Sequence, residues 1–252
     1  MTSCEDAPLV PAPVHQVLEA RERLIVALDF PTAAEALALV DSLKGSCQWY
    51  KVGLELFLSA GNGIIHLLKE RGFSVFLDLK LHDIPNTVAG AIRSISVFGA
   101  DLLTVHAAGG EAMLRAAAEA AAAVPDAPKL LAVTVLTSMD PNQLSGIGVD
   151  TSPREQALRL ARMGWANGIH GFVCSPEEAG AMRSELGGDA LLVTPGVRPA
   201  GAAAGDQKRV ATPAAAIAAG ADYLVVGRPI TQAADPRAAT ESILEEIESV
   251  TE

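Results

Sequence analysis

The sequence predicts an α/β fold, a single-domain (β/α)8 TIM barrel. Three observations predict it. Strand-like apolar runs alternate with helical stretches eight times along 252 residues. The composition is 50% hydrophobic with only 4% aromatic residues, and its abundant Ala, Leu and Val suit helices packed on a parallel sheet. The conspicuous polar residues stand at the carboxyl ends of strands, where such barrels carry their sites. A doubly wound sheet is the alternative, because its crevice lies at the same strand ends.

Residues 1–22 read as an N-terminal extension and 23–252 as the barrel domain. The extension is rich in Pro and Ala, with a short helix expected over about 14–23. The first strand is Leu24-Ile25-Val26-Ala27-Leu28-Asp29, and Thr32 is placed to cap a helix over 33–44. The second strand, 47–54, carries Lys51 and Gly53, and a helix follows over about 59–71. The run Phe73-Ser74-Val75-Phe76-Leu77 is the third strand, and its helix reaches about residue 98. The fourth strand is 101–106, followed by Gly109-Gly110 and an Ala-rich helix to residue 123. The fifth is 129–136, with a Gly-containing loop over 140–151 and a helix over about 153–167. The sixth is 171–174 with a helix over 176–186. The seventh, 191–194, leads into a Gly/Ala loop over 195–209 and a short helix over 213–219. The eighth is 223–227, and the last helix spans about 235–250.

The stretch that organises the chain is Asp78-Leu79-Lys80-Leu81-His82-Asp83-Ile84-Pro85-Asn86-Thr87. Residues two apart in a strand share a face, so Asp78 and Lys80 leave the third strand together. Asp83 follows in the turn, and Pro85 opens a helix. Two carboxylates beside one ammonium are costly unless the charges perform a task. The loops after strands seven and eight, Pro195-Gly196-Val197-Arg198 and Gly227-Arg228-Pro229-Ile230, suit a phosphate. Glycine admits close backbone approach, and arginine adds bidentate charge.

Composition excludes several classes. A net charge of −11 argues against nucleic acid and anionic membranes as partners. Cys4, Cys47 and Cys174 are scattered, without metal-like spacing, and read as two buried thiols and one in the tail. Neither a signal peptide nor a spanning apolar run is apparent, so the expected location is cytoplasmic.

The decapeptide, above all its continuation through Ile84-Pro85-Asn86-Thr87, resembles the signature of the orotidine 5′-phosphate decarboxylases. The resemblance runs from Arg23 to Ile243 and meets the family's motifs in order. It implies decarboxylation of orotidine 5′-monophosphate to UMP and CO2, the last step of de novo pyrimidine biosynthesis, with neither metal nor cofactor. It implies Lys80 as proton donor to the C6 carbanion, with Asp78, Asp83 and Lys51 in the same charged array. Ala27-Leu28-Asp29 and Lys51-Val52-Gly53 match segments that bind the ribose hydroxyls, which assigns that role to Asp29 and Lys51. Thr137, in Leu136-Thr137-Ser138-Met139, matches a residue beside the pyrimidine. Gly227, Arg228 and Arg198 match phosphate-binding positions, and Gln207 a residue of a closing loop that reaches over phosphate and base. His82 and His106 are expected as structural neighbours. The resemblance further implies a homodimer in which Asp83 and Thr87 cross to the partner's site. The rival within the wider suprafamily is a Mg²⁺-dependent sugar-phosphate decarboxylase or synthase. A regulatory barrel without catalysis is set aside because Lys51, Asp78, Lys80 and Asp83 are all present.

Overall fold

The computed structural model describes residues 18–43, 45–199 and 211–251. Cys4 and most of the expected N-terminal extension, Lys44, and the loop segment 200–210 with Gln207 lie outside the described residues. Eight parallel strands close into one barrel in sequence order. They are β1 (Leu24–Ala27), β2 (Trp49–Gly53), β3 (Ser74–Leu81), β4 (Leu102–His106), β5 (Lys129–Val133), β6 (Gly171–Val173), β7 (Leu191–Pro195) and β8 (Tyr223–Val226). The pairing of β8 with β1 leaves no sheet edge, so the doubly wound alternative is excluded.

The helices follow local signals. In chain order they are α1 (Ala20–Arg23), α2 (Ala33–Ser42), α3 (Leu54–Ala60), α4 (Gly63–Glu70), α5 (Pro85–Ser96), α6 (Gly110–Ala122), α7 (Pro141–Gly146), α8 (Pro153–Ala166), α9 (Pro176–Leu186), α10 (Pro213–Ala218), α11 (Arg228–Thr231) and α12 (Pro236–Glu248). Thr32, Ser152, Thr212 and Asp235 each accept a backbone N–H of the first turn they cap. Proline opens α5, α8, α9 and α12, where its missing N–H costs no hydrogen bond.

Three expectations needed correction. The single helix expected over 59–71 is two, α3 and α4, because Gly61 takes φ 64 and terminates α3. The loop over 140–151 contains α7, held by a capping box between Asp140 and Gln143. Arg228, expected in a loop, begins α11.

Strand alternation divides the core. Ile25, Phe76, Leu102, Leu131, Val193, Tyr223 and Val225 fill the barrel interior. Leu24, Val26, Leu77, Leu103 and Leu192 point outward, into the layer shared with the helices. Burying a side chain of this size contributes roughly 1.5–3 kcal/mol. The register climbs around the barrel: Ile25 faces Trp49, Trp49 faces Ser74, Phe76 faces Leu102, and Val225 returns to Ile25. The interior therefore fills in layers, and the uppermost layer, at the carboxyl ends, is polar.

Candidate active site

Inward alternation positions each working group. Lys51 stands one inward step above Trp49, Asp78 above Phe76, and Thr104 above Leu102, and Gly227 follows Val225. Asp29 lies two residues beyond the end of β1, reached because the Leu28 N–H still bonds the Lys51 carbonyl at 2.9 Å.

The charges form an alternating chain. Lys51 Nζ is 2.8 Å from Asp29 Oδ1 and 3.8 Å from Asp78 Oδ2. Lys80 Nζ donates to both Asp78 oxygens at 2.8 Å. The Lys51 and Asp78 side chains are only 11% and 13% exposed, and that of Lys80 is 33% exposed. Such seclusion strengthens the attractions to Asp78 relative to water, whereas the Asp29 side chain, 59% exposed, is more screened.

Lys80 reaches this place by a backbone irregularity. Its φ is 50, a conformation that costs a non-glycine residue on the order of 1–3 kcal/mol. The β3–β4 register shifts at the same point, between Leu77 and Leu81. The hydroxyl of Thr104 accepts the Lys80 N–H at 2.8 Å and donates to Asp78 Oδ1 at 3.0 Å. Sequence reading missed Thr104, because a threonine within a strand looks like an ordinary β-former.

Gly53 was also missed as a contributor. Its backbone is extended, φ −93 and ψ −176, so conformation alone would permit other residues. A Cβ there would lie 2.9 Å from Lys51 Nζ and 3.1 Å from Asp29 Oδ1. Gly53→Ala is therefore expected to displace the Lys51 ammonium. Turnover should fall about tenfold, while the melting temperature stays within about 2 °C of wild type. Steady-state kinetics alongside thermal unfolding checks both, and unchanged kinetics would refute the crowding argument.

A cavity of about 250 Å³ opens over the array, lined by Lys51, Asp78 and Lys80 on one side and Val133, Val135, Thr137 and Val173 on the other. Its charged groups lie on the side of the array, and most of its wall is apolar. Beside it a cleft of about 410 Å³ is lined by Asp29, Lys51, Gly196, Arg198, Gly227 and Arg228. Thr231 and Gln232, which sequence reading did not single out, also line this cleft. Arg198 is buried, and its Nη1 donates to the Val197 carbonyl at 2.8 Å. Burial, and then the neighbouring Arg228 guanidinium, lowers the Arg198 pKa. An anion in the cleft would offset both effects. A larger cavity of about 580 Å³ lies at the opposite pole, among strand starts such as Lys129, Gly171 and Leu191. Its Asp222 is already held by Arg183 at 2.7 Å.

Not every expected residue joins the array. Asp83 does not touch Lys80 within the chain: it is exposed and accepts the Ile84 N–H at 2.6 Å. The turn into α5 swings it outward. Thr87, in the first turn of α5, is exposed as well. His82 and His106 stack at 5.2 Å. His106 Nδ1 accepts the Ala108 N–H at 3.3 Å, and burial, then His82 and Lys80, lowers its pKa. A neutral, hydrogen-bonded imidazole fits the structural role expected of it. Burial pushes the Cys47 and Cys174 thiols up to about 12, so both are inert at neutral pH.

Closed barrel and polar mouth together define a (β/α)8-barrel enzyme. Residues 22–243 match the model of the orotidine 5′-phosphate decarboxylase / HUMPS family. The chain belongs to that family. It is 58% identical over 225 residues to the orotidine 5′-phosphate decarboxylase of Halorhodospira halophila, covering 89% of this chain and 95% of the relative. It is 49% identical over 230 residues to that of Vibrio campbellii, covering 91% and 99%. The crystal structure of orotidine 5′-phosphate decarboxylase from Lactobacillus acidophilus superposes with a TM-score of 0.79 at 40% identity, covering 90% of this chain and 99% of that one.

Proposed function

We propose that this protein converts orotidine 5′-monophosphate to UMP and CO2, closing de novo UMP synthesis in the cytoplasm. The observation that carries the reading is the Lys80 ammonium, held on both oxygens of Asp78 beside a cleft with two arginines. The bond from C6 to the carboxylate breaks and leaves its electron pair on C6. Lys80 offsets that charge and then donates an Nζ proton to C6, completing the C–H bond. Asp78 repels the substrate carboxylate, and that repulsion is relieved as CO2 departs.

Arg198, Arg228 and the Gly227 backbone hold the 5′-phosphate, and Asp29 and Lys51 hold the ribose hydroxyls. Thr137 sits beside the pyrimidine in the smaller cavity. Gln207, outside the described residues, takes the role over phosphate and base that the family resemblance assigns to it. The functional unit is a homodimer in which Asp83 and Thr87 enter the partner's site. Their exposure supports this, as does Ile84, a large apolar residue 66% exposed between them.

The reaction needs neither metal nor cofactor. Lys80 already occupies both oxygens of Asp78, so a cation placed there would meet a resident positive charge. The expected result is full turnover of orotidine monophosphate in excess EDTA, followed by loss of near-UV absorbance. Abolition by EDTA with recovery on added Mg²⁺ would transfer the reading to the metal-dependent sugar-phosphate branch.

A further inference from the structure

We infer that Thr104 is the positioning residue for Lys80, an inference whose kinetic test rests on the decarboxylase reading. The β3–β4 ladder pairs Leu77 with Leu103 and Leu81 with Val105. Asp78, Leu79 and Lys80 therefore stand opposite Thr104 alone. Such a bulge takes the Lys80 N–H out of the regular ladder. A buried donor without a partner is costly, and the Thr104 hydroxyl replaces the missing carbonyl at 2.8 Å. Its single proton then goes to Asp78 Oδ1 at 3.0 Å, and Asp78 holds Lys80 Nζ at 2.8 Å.

The path closes on the residue where it began. The backbone of Lys80 is bound by Thr104, its ammonium by Asp78, and Thr104 binds Asp78. Both ends of one lysine side chain are thus referred to one hydroxyl. That ring also maintains φ 50 at Lys80, which the residue would otherwise relax. Thr104 is fully buried and outside the lining of the cavity, so it acts through Lys80 rather than on substrate.

Thr104→Val keeps the shape and removes the hydroxyl, whereas Thr104→Ser keeps the hydroxyl. The Val variant is expected to lose about 10²-fold in kcat. Its KM and its Kd for UMP should stay within about twofold of wild type, because the phosphate cleft is untouched. The Ser variant is expected to recover to within about threefold of wild-type kcat. An unchanged kcat in the Val variant overturns the inference. So do equal losses in Val and Ser with raised KM, which describe a site sensitive only to packing. A wild type inactive on orotidine monophosphate defeats the decarboxylase reading instead. Crystal structures of the Val variant then decide: an unaltered Lys80 backbone and Lys80–Asp78 contact overturn the inference, and a relaxed φ with a displaced ammonium upholds it.

Discussion

Lys80→Ala is expected to lower kcat on orotidine monophosphate by at least ~10⁴-fold, the largest effect of any single substitution in the site. The magnitude follows from two roles lost together. A positioned proton donor contributes about 10²–10⁴-fold, and preorganised charge at the carbanion contributes on the order of 10²–10³-fold more. The variant also leaves Asp78, only 13% exposed, with the more distant Lys51 at 3.8 Å as its ammonium partner. Lys80→Arg separates the two roles, since a guanidinium keeps the charge yet does not release a proton near neutral pH. It should restore at most a small part of the loss. Single-turnover absorbance kinetics on folded variants, with unfolding curves as the control, checks both. An alanine variant within tenfold of wild type would remove Lys80 from the mechanism.

Arg228→Ala is expected to lower kcat/KM by about 10²–10³-fold, mostly through KM. Hydrogen bonds to charged groups contribute roughly 1.5–3 kcal/mol each, and a bidentate guanidinium makes two. Arg198 remains, but its Nη1 is committed to the Val197 carbonyl and compensates only in part. The affinity for UMP measured by calorimetry should fall in parallel. The affinity for uridine, which has no phosphate, should not change. A loss confined to kcat, with UMP binding intact, would place Arg228 outside the phosphate site.

Much of this was legible in the residues themselves. The alternation of strands and helices is a local property, written in apolar runs, caps such as Thr32 and Ser152, and prolines at first helical turns. The inward positions of Lys51 and Asp78 follow from the period of two in a strand. Even the overlooked α7 had its signal in Asp140 and Gln143. Gly61 likewise marked the break between α3 and α4.

Other features came only with the tertiary structure. The sequence set Asp83 in the charged array and the resemblance sent it to a partner's site, but only the entry into α5 shows it exposed and bound to the Ile84 N–H within its own chain. The sequence motifs assigned Arg198 and Arg228 to one phosphate site, but it is the pairing of β7 with β8 in the closed barrel that brings residues thirty positions apart to one cleft. The contribution of Gly53 appears only when the Lys51 and Asp29 side chains are seen beside it. Thr104 meets Lys80 through a register shift that no local pattern encodes. The physical reason is common to all four. Local propensity decides which segments become strands and helices, and their sequence periods decide which face is buried. Which side chains then touch depends on the register between strands and on closure of the sheet, both set by packing between residues far apart in the chain.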